Sequence, residues 1–240
     1  GLYGSTFVIP LYTQSILGWT AEDAGLLFIP SGIATAFMMP IIGKLLERGV
    51  KQQYLVAGGL LIFFLYSLWA YKILTPDTPS EAFWWLLMFR GFGLSMLFIP
   101  ITTLALSTLH GQEIGQGAAF TGMMRQLGGS FGVAIITTYL ANKNMTHRVN
   151  LISNLSASDP AVQNRVSMIQ HSFMSKGMTP DIALQSAYQS LDFSVMKQSM
   201  VLSYMDVFLF IGVIFLICVP FVLLIKGSKD KKVNLSAAAH

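Results

Sequence analysis

Apolar residues dominate six stretches of this 240-residue chain, and polar residues gather in the gaps between them. A membrane helix needs about 20 mainly apolar residues. On that criterion the spans fall at 1–18, 23–46, 53–74, 82–109, 114–141 and 201–226. The first reads as cut short at its start. Pro10, Pro30, Pro40, Pro100 and Pro220 lie within spans. Membrane helices tolerate them because neighbouring groups take up the freed carbonyls. The pattern predicts an all-α fold, a polytopic membrane helix bundle of six transmembrane helices.

Residues 142–200 break the pattern. Leu184, Ala187, Leu191 and Val195 form one apolar stripe at helical spacing. Thr179, Pro180 and Asp181 make a good helix start. The segment is expected to be an external amphipathic helical loop, either a cap lying near the membrane surface or a docking surface for a partner. The chain then divides into helices one to five (1–141), this loop (142–200), the last helix (201–226) and a basic tail (227–240). The sequons at Asn144 and Asn154 are short enough to be chance matches. The closing SAAAH reads as a cloning scar or a plain tail. With Gly1 first and no charged leader, the chain reads as a fragment whose upstream part is missing.

Composition agrees with the spans. The chain is 53% hydrophobic and 11% charged, whereas a soluble domain carries about 25% charged residues. Mean hydropathy is +0.60. The single cysteine, Cys218, has no partner for an intrachain disulfide and belongs to no metal-type cluster. The net charge of +4 comes largely from short juxtamembrane segments, which suits membrane orientation better than nucleic-acid binding. Lys44, Arg48 and Lys51 follow span two, and Lys226, Lys229, Lys231 and Lys232 follow span six. The opposite loops hold Glu22, Asp23, Asp77 and Glu81, with Lys72 the basic exception. Both ends of the segment are therefore expected on the cytoplasmic side.

A short repeat adds topology. Residues 5–13 read STFVIPLYT and residues 95–103 read SMLFIPITT, with Ser, Ile, Pro and Thr at equal offsets. Gly25 and Phe28 likewise match Gly117 and Phe120. The first copy is expected to run outward and the second inward. Spans one to three and four to six then form two inverted three-helix repeats, an architecture of secondary transporters with a substrate site near the midplane.

Several runs resemble one family. LYTQSILGWTAEDAGLLFIPSGIATAFMMPIIGKLLERG, FRGFGLSMLFIPITTLALSTL, GQGAAFTGMMRQLGGSFGVAIITTYL and SYMDVFLFIGVIFLICVPFVLL appear in order over nearly the whole chain. They are similar to the C-terminal half of EmrB/QacA-type drug–proton antiporters, the fourteen-helix branch of the major facilitator superfamily. The resemblance implies a multi-pass protein of the bacterial cytoplasmic (inner) membrane that contributes to antibiotic resistance. It implies multidrug efflux of hydrophobic or cationic small molecules against inward proton flow. Protons are then the coupling ion and no other cofactor is expected. The partners implied are the N-terminal half of the same transporter and, in two-membrane bacteria, a periplasmic adaptor protein, with no nucleic acid.

Candidate site residues follow. Arg125 lies inside an apolar stretch, where a guanidinium costs roughly 2.5–3.5 kcal/mol on insertion scales. It either lines a cavity or braces the helices. With Gln126 it matches the family's RQ pair. Gly128, Gly129, Ser130 and Gly132 offer a small face for close helix approach. Arg90 and Asp206 fall at similar depth, so a pair is geometrically possible. Asp206 is a candidate coupling acid or an interfacial structural group. Gly43, Leu45, Glu47, Arg48, Gly49 and Lys51 resemble the superfamily's cytoplasmic loop motif, a charge latch favoured where an acid sits near a helix N-terminus. Plain positive-inside anchoring explains the same charges. Phe7, Tyr12, Gln14, Phe92, Met96, Phe98, Phe120, Met123 and Met124 are candidates for an adaptable cavity wall, or ordinary packing positions.

An enzyme is not expected. The run GGSFG at 128–132 fits a hydrolase G-x-S-x-G pattern but sits within an apolar helix. His110, His147, His171 and His240 all lie outside the spans, and no catalytic pair shares a depth. A non-transporting scaffold, or a major facilitator carrier for another class of small molecule, remains the alternative function.

Overall fold

The computed structural model describes residues 2–76, 78–106, 109, 111, 113–156 and 158–224. Asp77, His110, His240, the basic tail with Lys226, Lys229, Lys231 and Lys232, and the closing SAAAH lie outside the described residues. Among the described residues the structure is helical without strands: α1 (Leu2–Ile16), α2 (Ala21–Leu26), α3 (Phe28–Glu47), α4 (Gln52–Ile73), α5 (Ser80–Leu106), α6 (Glu113–Ser153), α7 (Pro160–Met174) and α8 (Pro180–Leu224). Four helical stretches among them are long and apolar enough to cross a membrane: Ala21–Glu47, Gln52–Ile73, Ser80–Leu106 and Pro180–Leu224. The chain is an all-α membrane helix bundle.

Local chemistry sets the helix ends. Thr20 and Asp23 form a reciprocal capping box that starts α2. α2 runs into α3 through Leu27, so the second expected span is one broken helix. α3 ends where the Arg48 N–H reaches the Lys44 carbonyl and Gly49 turns to φ 84°, a left-handed value that favours glycine. Glu47 thus closes α3. The latch expectation placed an acid near a helix N-terminus. The macrodipole at a C-terminal position disfavours a carboxylate instead.

Side-chain pairs fix helix directions. Trp69 meets Phe89 while Gly59 faces Leu97, so α4 and α5 are antiparallel. Phe63 meets Phe215 and Tyr66 meets Phe208, so α4 and α8 are antiparallel. Tyr12 packs on Phe83 while Arg90 reaches Ser5, so α1 and α5 are antiparallel. The two copies of the Ser–Ile–Pro–Thr repeat therefore sit on helices of opposite direction, each with its proline inside the helix.

Small residues bring the helices close. A Cβ on Gly91 of α5 would lie 2.5 Å from the Ser31 carbonyl oxygen of α3. The Thr35 hydroxyl donates to the Ser31 and Gly91 carbonyls across that crossing. In an apolar solvent, such close contact and interhelical hydrogen bonding replace the hydrophobic effect as the source of association.

The segment 142–200 departs from its expected form. The first twelve of its residues continue α6 without a break, and its last twenty-one belong to α8. At 1.5 Å per residue, α6 and α8 are about 60 and 67 Å long, about twice the bilayer core. Tyr139 stacks on Phe210 at 4.5 Å, Ser199 donates to Asn144 at 2.7 Å, and Arg148 pairs with Asp192 at 3.0 Å. These pairs define an antiparallel hairpin with α7 laid between its arms in sequence. The expected start at Pro180 is found. The apolar stripe is rotated by one position at its start: Ala183 and Ala187 are buried, whereas Leu184 is exposed.

Candidate functional site

Two arginines mark two different grooves. Arg90 on α5 is only 4% exposed. Its Nε donates to Ser5 at 3.3 Å, its Nη1 to Ser31 at 3.4 Å, and its Nη2 to the Thr6 hydroxyl. Its guanidinium lies 5.6 Å from the Phe28 ring centre. Hydroxyls from α1 and α3 thus hold it, and no carboxylate among the described residues lies within ion-pair distance. Arg90 borders a cavity of about 440 Å³ shared with Thr6, Phe28, Ser31, Thr35 and Met39.

Arg125 on α6 is exposed on the bundle. Its guanidinium sits 5.2 Å from the Phe98 ring centre, a cation–π contact between α6 and α5. It borders a second groove of about 250 Å³ with Tyr3, Leu97, Gly128, Gly129 and Gly132. Gly129 packs on the Tyr3 ring, whereas Gly128 and Gly132 would place a Cβ in open space. The small face is thus half packed and half groove floor. Gln126 is exposed beside Arg125.

Asp206 does not pair with Arg90. Its Oδ2 accepts from Lys143 at 3.2 Å and from His147 at 3.0 Å. Both lie on α6 beyond residue 141, so Asp206 sits at the edge of the span and not at the depth of Arg125. Eighteen residues of α6 separate Arg125 from Lys143, about 27 Å along the axis. The Asp206 hydrogen bond and charge raise the Lys143 ammonium above the ordinary lysine range, with help from Tyr139. The sequence carried one signal of this trio, the i, i+4 spacing of Lys143 and His147. It carried none of the Ser5–Thr6–Ser31 cradle.

The proposed cavity wall separates into groups. Tyr12 is fully buried, and its hydroxyl donates to the Thr75 carbonyl at 2.7 Å. Met96 packs its methyl against Gly58 of α4. Both are packing residues, and Phe92 is half-buried. Phe7, Gln14, Phe98, Phe120, Met123 and Met124 are exposed, and of these Phe98 meets Arg125. Gly43, Glu47, Arg48 and Lys51 gather at the α3–α4 turn, and none of the charged three forms an ion pair among the described residues. Ser130 is helical and donates to the Gln126 carbonyl, so the hydrolase elbow is absent there.

A model described as the Major Facilitator Superfamily matches residues 1–133. The chain belongs to that superfamily. It is 30% identical to the uncharacterized MFS-type transporter YhcA of Bacillus subtilis, over 98% of this chain and 45% of that protein. It is 26% identical to the multidrug export protein EmrB of Escherichia coli, over 90% of this chain and 40% of that protein. It is 24% identical to the fatty acid resistance protein FarB of Neisseria gonorrhoeae, over 93% and 42%. The chain thus spans less than half the length of these relatives. That superfamily is one of membrane transporters.

Proposed function

We propose that this chain is the C-terminal half of a proton-coupled multidrug exporter that works by alternating access. The observation that carries the reading is Arg125 on an open, glycine-floored groove, in a chain similar to EmrB over most of its length. A charge at such a position favours a facing half or a substrate over lipid. The two halves rock about a site between them, and protonation biases one state. Phe98, Phe120, Met123 and Met124 supply adaptable apolar surface for hydrophobic or cationic compounds.

In this reading protons are the coupling ion, and Asp206 or an acid of the other half carries them. The protein works as an antiporter in a bacterial inner membrane, with both ends of this segment cytoplasmic. Its activity confers antibiotic resistance. The projecting α6–α8 hairpin then faces away from the cytoplasm, where an adaptor would meet it. Uptake of ethidium into everted vesicles bearing the intact protein tests the proposal. Transport should require a proton gradient, stop with a protonophore and fall in Arg125→Ala. Uptake that ignores the gradient would refute it.

A further inference from the structure

We infer that the Arg90 cavity is an oxyanion subsite, one that takes the anionic head of an amphiphile and leaves its apolar body in the groove. The inference rests on the exporter reading and deepens it by naming a ligand class.

Arg90 has the features of a binding group left with capacity. A guanidinium carries five N–H donors. Three hydrogen bonds engage one N–H on each nitrogen, which leaves one on each terminal nitrogen. All three acceptors are neutral hydroxyls, so they orient the charge without neutralising it. Burial of an uncompensated charge is costly, and an entering carboxylate or phosphate oxygen removes that cost through charge-assisted hydrogen bonds. The hydroxyl cradle holds the guanidinium against rotation, so little order is lost on binding.

The surroundings select the rest of the ligand. This space of about 440 Å³ is an open groove that, like small-molecule sites, combines mostly apolar walls with a few fixed polar groups. Phe28, Met39 and Leu94 supply the apolar wall, and Thr6, Ser31 and Thr35 the polar end near Arg90. Gly32 also borders this space, and a Cβ there meets nothing within 4 Å. A larger side chain at Gly32 would therefore obstruct the cavity while leaving the Arg90 cradle untouched.

The test uses the intact transporter in nanodiscs of zwitterionic lipid, with pyrenebutyrate as probe and neutral pyrenebutanol as control. Pyrenebutyrate should bind at least about tenfold tighter than the alcohol, as expected for a charged hydrogen-bonded pair. Arg90→Gln should erase that preference while leaving alcohol binding within about twofold. Gly32→Leu should weaken both probes with Arg90 intact, and it decides the matter should Arg90→Gln fail to fold. Equal affinity for the two probes, a preference that survives Arg90→Gln, or undiminished binding of both probes in Gly32→Leu would overturn the inference. Loss of pyrenebutyrate binding in phosphatidylglycerol nanodiscs would support the oxyanion site and assign it to a lipid head group. Undiminished binding there would support a solute carboxylate. Ethidium transport by the same variants in sealed everted vesicles separates the two readings. Efflux without carboxylate preference sinks the subsite alone, and carboxylate preference without proton-driven efflux sinks the exporter reading alone.

Discussion

At the scale of single residues, two glycines on facing helices should respond oppositely. Gly91→Ala places a Cβ 2.5 Å from a backbone carbonyl that cannot move freely. Overpacking of this kind costs about 1–3 kcal/mol, so the melting temperature of the purified protein should fall. Gly32→Ala meets open space inside a helix and should leave the melting temperature unchanged or raise it. Equal melting of the two variants would contradict the close α3–α5 crossing. Arg125→Ala removes a cation–π contact of about 0.5–2 kcal/mol and the charge with it, whereas Arg125→Lys keeps the charge. Efflux should fall further in the first than in the second. Arg125 was legible because one charge in a long apolar run is conspicuous. The Arg90 cradle was not, because its hydroxyls lie 59, 84 and 85 residues away in sequence and only folding gathers them.

Among elements, the α6–α8 hairpin includes one ion pair, Lys143–Asp206, whose lysine is shifted. The Lys143 ammonium is raised by Asp206. Its contribution to the hairpin is therefore complete below the ordinary lysine range and is lost as pH climbs through the raised value. Thermal unfolding followed against pH should show an alkaline decline, and Asp206→Asn should flatten it. An unaltered alkaline limb in Asp206→Asn would remove this pair from the account. Four of the six expected spans coincide with helices long and apolar enough to cross a membrane, since length and apolarity are the constraint that a bilayer imposes; α1 and α6 are not among those four. The start of α8 was readable too, from Thr179–Pro180–Asp181. What sequence pattern missed was that α6 and α8 do not end at the expected span limits, 141 and 201. Their extensions lean on each other through Ser199–Asn144 and Arg148–Asp192, tertiary contacts that no local periodicity encodes. The predicted surface loop is thus made of the continuations of two long helices with α7 between them.

For the whole molecule, the exporter reading makes the chain one side of a shared site. Its six expected spans alone should not transport, and co-expression with the remaining part of the protein should restore efflux in vesicles. Transport by this segment alone at the rate of the intact protein would overturn the reading. The alternating directions of the helices bear on how it moves. α8 is a single helix from Pro180 to Leu224, in contact with α1, α4, α6 and α7. A continuous helix is stiff on this length scale, curving only gently. From mid-span to its projecting end it reaches about 48 Å, so a tilt of about 5° at the membrane carries that end about 4 Å. The hairpin is in effect a lever, with its fulcrum in the bilayer. Angular change too slight to see at the grooves becomes a displacement at the tip comparable to the width of a side chain.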